Sequence, residues 1–119
     1  MSVPTGSKAN PAGAWLRGVL ELATMATLTE GERHGYALMQ RLSESGLGPI
    51  RGGVLYPVLG RLEVEGAVSS TWQAGDGGPG RKVYQLTKAG RERLVAERAL
   101  WRDFSRVLSQ LLERTEEEQ

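Results

Sequence analysis

The fold is decided by the stretch Trp72–Leu86, WQAGDGGPGRKVYQL. Its G-D-G-G-P-G segment fits the G-x-G-x-x-G spacing of a dinucleotide-binding loop. That motif works only where a strand feeds the glycines and a helix opens directly after them, so that the helix N-terminus can hold a pyrophosphate. After Gly80 the chain instead runs Arg81, Lys82, Val83, Tyr84, Gln85 and Leu86, a β-branched and aromatic run of period near two, which predicts a strand. Upstream, AVSSTWQ places Val68 and Trp72 around Ser and Thr and predicts another. Two short strands across a Gly/Pro/Asp loop make a β-hairpin. A dinucleotide fold would also need a βαβ repeat with a later acidic residue, whereas the remaining chain is helical by pattern, so an NAD-linked enzyme is excluded here.

Helical periodicity surrounds this hairpin. Just before it, a helix is expected from about Gly53 to Glu65, closed by Gly66, with Leu55, Val58, Leu59 and Leu62 as its buried face. Tyr56, Pro57, Gly60, Arg61 and Val64 are left flanking or opposite. Pro57 lies about one turn in, where it removes at most one helical bond. A preceding helix starts near His34, with Tyr36, Leu38, Met39 and Leu42 placed to pack and Gly46 as its C-terminal cap. The first helix spans Trp15–Thr27, with Leu16, Val19, Leu20 and Ala23 on one stripe. After the hairpin, Thr87 is placed to cap a last helix reaching about Glu113, roughly 40 Å long at 1.5 Å per residue. Leu94, Trp101 and Leu108 recur along it at heptad spacing, and Leu100, Phe104, Val107, Leu111 and Leu112 widen the stripe, as in a helix that pairs with another.

The order helix, helix, helix, hairpin, long helix suits a mainly α winged helix-turn-helix with a small β-hairpin and a long C-terminal dimerisation helix. The expected organisation is a disordered arm over residues 1–13, a DNA-binding domain over 14–86, a dimerisation helix over 87–115 and an acidic tail over 116–119.

Composition narrows the function. The chain has 119 residues, one domain's worth, and no cysteine, which excludes disulfides, thiolate metal sites and cysteine nucleophiles and fits a reducing cytoplasm. No apolar run is long enough for a membrane span, and the N-terminal segment lacks the apolar core of a signal peptide. His34 is the single histidine. Without a second histidine or convergent carboxylates it builds no metal site, no serine sits in a nucleophile motif, and neither a cofactor nor an enzyme activity is expected. The net charge of +1 conceals basic segments, with Lys88, Arg91, Arg93, Arg98, Arg102 and Arg106 ahead of an acidic end at Glu116, Glu117 and Glu118.

The segments HGYALMQRL, GGVLYPVLGRLEVEGAV and GPGRKVYQLTKAGRERL together resemble the PadR-like family of winged-helix transcriptional regulators, in its short-chain branch with one C-terminal helix. The likeness covers about residues 15 to 112, with the motifs in the family's order. It implies a homodimeric repressor on a pseudo-palindromic double-stranded operator, the third helix in the major groove and the wing on the adjacent backbone or minor groove. One departure stands out. The family usually has Ser, Thr or Asn near the start of the recognition helix and Thr before L-Y-P, whereas this chain has Arg51, Gly52, Gly53 and Val54.

From the residues and this resemblance together, Arg51, Tyr56, Arg61, Arg81, Lys82 and Tyr36 are expected at DNA. All but Arg51 have an alternative: Tyr56 packing on the second helix, Arg61 pairing with Glu65, Tyr36 packing in the core, and one of Arg81 and Lys82 turning inward. The dimer interface is expected to use Leu94, Trp101, Phe104, Leu108 and Leu111. In the multidrug-sensing members that the chain resembles, a tryptophan at the position of Trp101 stacks on flat aromatic compounds, which implies an aromatic effector bounded by Trp15, Leu100, Trp101, Phe104 and Leu108, or else simple interface packing. The alternative function is a winged helix used for protein contact, against which the cations of the wing speak.

Overall fold

The computed structural model of the chain describes residues 11–75 and 77–117, with side chains over 13–75 and 77–114. Most of the expected arm and the side chains of the acidic tail lie outside the described residues. The elements are α1 (Pro11–Leu28), β1 (Arg33–His34), α2 (Gly35–Leu42), α3 (Gly52–Val64), β2 (Val68–Gly75), β3 (Gly78–Leu86) and α4 (Lys88–Glu117). Helix α1 begins earlier than the sequence pattern indicates, at Pro11, because proline is well tolerated in the first helical turn, where its missing N–H would have no partner anyway. A wide turn, Ser43–Leu47, separates α2 from the strand-like approach to α3, and Gly46 takes φ 102 there. That left-handed conformation is what the expected glycine cap supplies.

The hairpin forms as expected, with Val68 opposite Leu86, Ser70 opposite Tyr84 and Trp72 opposite Lys82. A third strand was not legible. The two residues of β1 pair antiparallel with β3, Arg33 opposite Tyr84 and His34 opposite Val83, giving the order β1-β3-β2.

One core joins the helices to the sheet. Leu20, Met25 and Leu28 of α1, Leu38 and Leu42 of α2, Leu55, Leu59 and Leu62 of α3, and Val68, Tyr84 and Leu86 of the hairpin are all buried. The face of α1 is wider than the expected stripe. Leu20 is buried and Leu16 and Ala23 pack against the core as expected, Thr24, Met25 and Leu28 are buried as well, and Val19 and Leu22 also line a groove beside α4. Tyr36 also departs from expectation as a packing residue of α2: it is 57 % exposed.

Helix α4 is seated on the domain at its base and extends beyond it. Thr87 caps it, its hydroxyl accepting from Gly90 N–H at 2.9 Å and donating to the Gly66 carbonyl at 2.7 Å. A Cβ on Gly90 would stand 2.0 Å from the Ala67 carbonyl oxygen, so the first turn of α4 rests directly on the start of β2. Leu94, expected in the dimer interface, is instead 4 % exposed within this core, because it falls in the turns that still lie over the sheet. Farther along, Leu100, Phe104, Val107, Leu108, Leu111 and Leu112 are exposed. The molecule is 61 Å in its longest dimension against 22 Å in its shortest. Among the described residues no helix is long and apolar enough to cross a membrane.

Candidate nucleic-acid interface

The four inward leucine and valine positions hold α3 against the core, which turns Gly53, Pro57, Gly60 and Val64 outward. The two flanks of the helix differ. On the wing side, Tyr56 shares a pocket of about 380 Å³ with His34, Gly35, Tyr36, Arg81, Lys82 and Tyr84. A Cβ on Gly35 would lie 2.6 Å from the Tyr56 ring, and one on Gly52 would lie 3.1 Å from it. Both glycines are therefore what lets the Tyr56 ring lie against the backbone. His34 begins α2: its Nδ1 accepts from Ala37 N–H at 3.2 Å, and its Nε2 lies 3.3 Å from Arg81.

The two adjacent cations of the wing part company. Arg81 is exposed and touches His34, whereas Lys82 turns inward to pair with Glu63 of α3 at 3.3 Å and to lie over the Tyr84 ring at 5.6 Å from its centroid. Glu63 also accepts a hydrogen bond from the Ser70 hydroxyl. That bond, with the nearby ammonium, holds its carboxyl below the usual range. Burial raises the Tyr84 phenol.

On the α1 side, Arg17 and Arg51 flank Val54. Neither has an ion-pair partner among the described residues, and Arg51, preceding α3 in an extended conformation, offers no side-chain cap. Arg61 lies on this flank as well, but it pairs with Glu21 of α1 at 2.7 Å and not with Glu65. Glu65 is taken by Arg93 of α4 at 2.6 Å, and the same guanidinium reaches Glu97 at 2.7 Å and Glu21 at 3.2 Å. These hydrogen bonds, Glu65 first, raise the Arg93 guanidinium further.

Sequence reasoning missed three residues of this face. Arg17 comes to it only through the packing of α1 against α3, which no local pattern signals. Glu21 claims Arg61 across a separation that periodicity cannot reveal. Trp72 was read only as a strand residue, yet it is 72 % exposed on the wing, its indole beside Gly80. Its place opposite Lys82 in the hairpin was the available signal.

A second cavity lies away from this face. Trp15, Leu100, Trp101, Phe104 and Leu108, the five residues expected around an aromatic ligand, all line one groove of about 600 Å³ between α1 and α4, together with Glu21 and Glu97. The Trp101 and Phe104 rings are tilted by 38° with centroids 6.1 Å apart.

Three helices, an exposed third helix and a hairpin beside it carrying an outward arginine define the winged helix-turn-helix class. The chain belongs to the PadR-like family of transcriptional regulators, whose family model matches residues 24–96. It is 36 % identical over 90 residues to the transcriptional regulator Rv3488 of Mycobacterium tuberculosis, covering 76 % of this chain and 82 % of that one. Among solved structures, it is similar to a PadR family transcriptional regulator from Eggerthella lenta, with a TM-score of 0.76 and 34 % identity over 85 % of this chain and 88 % of that one. A PadR-like regulator from Bacillus cereus gives a TM-score of 0.73 and 32 % identity over 83 % and 96 % of the two chains.

Proposed function

We propose that the chain is a DNA-binding repressor that grips a pseudo-palindromic operator as a homodimer in the cytoplasm. In this reading α3 enters the major groove, Arg51 and Arg17 approach one phosphate strand, and Tyr36, Tyr56 and Arg81 approach the other. The observation that carries it is the flanking of an exposed helix by cations on both sides, Arg17 and Arg51 on one and Arg81 on the other, without a carboxylate partner among the described residues. Such cations bind polyanions by releasing condensed counterions. Lys82 and Arg61 start from ion pairs with Glu63 and Glu21, so a phosphate contact by either requires that pair to open. The exposed apolar face of α4 supports pairing of two subunits, and the groove lined by Trp15, Trp101 and Phe104 supports capture of a planar aromatic effector by stacking. Ligand and operator would then be linked through the angle between subunits.

The test is fluorescence anisotropy of the purified protein on a labelled duplex across a salt series. Affinity should fall steeply with salt, and Arg81→Ala should weaken all sequences alike while flattening the log–log slope by about 0.9, one phosphate contact. A slope unchanged in Arg81→Ala removes the wing from DNA; binding to duplex that is indifferent to salt removes the reading altogether.

A further inference from the structure

The outward face of α3 also bears on how bases are read, an argument that rests on the DNA-binding reading above. In a helix-turn-helix the N-terminal half of the recognition helix meets the base edges, and the usual readers there are Arg, Lys, Asn and Gln, which hydrogen-bond to purine N7, O6 and N6 groups. Here Gly53, Pro57 and Gly60 occupy that surface, with Val54, 37 % exposed, at its α1-side edge, and none has a side-chain donor or acceptor. The polar side chains of the helix lie on its flanks, where its two charged ones are paired and the Tyr56 ring is half exposed. Arg61 is on Glu21, Glu63 is on Ser70 and Lys82, and Tyr56 lies against Gly35.

Two of these residues are not demanded by the fold. A Cβ on Gly53 or on Gly60 would meet no atom of this chain within 4 Å. Each glycine costs a helix about 1 kcal/mol relative to alanine. They fall two turns apart on the same side of α3, with Pro57 between them, and leave the backbone itself at the surface. The effect is a shallow profile that can sit deep in a groove, with Val54 and Pro57 as its projecting groups. The base feature complementary to an apolar group in the major groove is the C5 methyl of thymine.

We propose that this chain reads its half-sites by packing Val54 and Pro57 against thymine methyl groups, with Gly53 and Gly60 allowing the close approach, and not by hydrogen bonds from α3 to base edges. Orientation comes from the cations on either side, which carry no sequence information themselves.

The experiment begins with selection of preferred sites from a randomised duplex library by the full chain. Each thymine of the selected half-sites is then replaced singly by deoxyuridine, which lacks the methyl and keeps the same hydrogen-bonding edge. One or two positions per half-site should lose about fourfold in affinity, the worth of one buried methyl. Replacement of purines by their 7-deaza analogues should change affinity less than twofold. In Val54→Ala the deoxyuridine penalty should fall below twofold at one of those positions. Tolerance of deoxyuridine throughout, with tenfold losses from 7-deazapurines, overturns the proposal, as does a full penalty at every position in Val54→Ala. If the library enriches no sequence while salt-dependent binding to random duplex persists, apolar reading is overturned and DNA binding stands. Absence of salt-dependent binding to any duplex removes both.

Discussion

Phe104→Ala should weaken the proposed dimer without unfolding the subunit. Phe104 is 64 % exposed, so its own subunit already covers about a third of it, and only the remainder is available to a partner. Full burial of a phenylalanine side chain is worth about 2.5 kcal/mol, which makes the exposed part worth about 1.5 kcal/mol per subunit. A homodimer contains the residue twice, and about 3 kcal/mol corresponds to roughly a 150-fold rise in the dimer dissociation constant. Sedimentation equilibrium over nanomolar to micromolar concentrations measures that constant directly. Leu94→Ala supplies the contrast on the same helix. Leu94 is buried within its own subunit, so its truncation should lower subunit stability by about 2–5 kcal/mol, visible in denaturant melts. A dissociation constant unchanged within threefold in Phe104→Ala, or unaltered protein that sediments as monomer throughout, would refute the assignment of α4 to the interface.

Gly90→Ala should destabilise by about 3 kcal/mol or more, although alanine normally strengthens a helix, because the added methyl would collide with the Ala67 carbonyl; a thermal melt at or above that of the unaltered chain would contradict the close seating of α4. Acid sensitivity should be traceable in part to Glu63. Its carboxyl is held low in the folded state, so its contribution is present above its unfolded pKa of about 4.3 and lost as pH falls through the lower folded value. Unfolding free energy followed from pH 6 to 3 by denaturant melts should therefore fall less in Glu63→Gln, by no more than about 1 kcal/mol because the pair is partly solvated.

The helices and the hairpin were legible because each buries a repeating set of side chains at its own period, as Leu55, Val58, Leu59 and Leu62 do in α3. The glycines of the wing were legible because a helix could not follow them. What remained unread depended on contacts between distant segments. Strand β1 has only two residues, too few to show any alternation, and exists because β3 offers Val83 and Tyr84 an edge to be paired. Tyr36 looks like a packing residue by type and spacing, yet the neighbouring Gly35 is the position that faces the interior, against Tyr56. The stripe of α4 was seen as one surface, whereas the structure divides it. Leu94 belongs to the subunit, and the residues from Leu100 onward face outward. Periodicity reports that a face is apolar; which neighbour covers it depends on where the rest of the chain ends.

That division gives α4 two mechanical roles, and Arg93 stands where they meet. Its guanidinium binds Glu21 on α1, Glu65 directly after α3 and Glu97 on α4 itself, while Glu21 also holds Arg61 of α3. A single exposed ion pair would count for little, but one planar group with three carboxylates fixes relative orientation as well as distance. With Gly90 seated on Ala67 and Leu94 in the core, the lower part of α4 is tied to the same core as α3. In the proposed dimer, a change in the angle between two paired α4 helices would change the separation and tilt of the two copies of α3, which would have to match half-sites about 34 Å apart. Glu21 and Glu97 belong to this junction and also to the wall of the groove between α1 and α4, so a cationic ligand seated there would compete with Arg93 for the carboxylates that tie α1, α3 and α4 together.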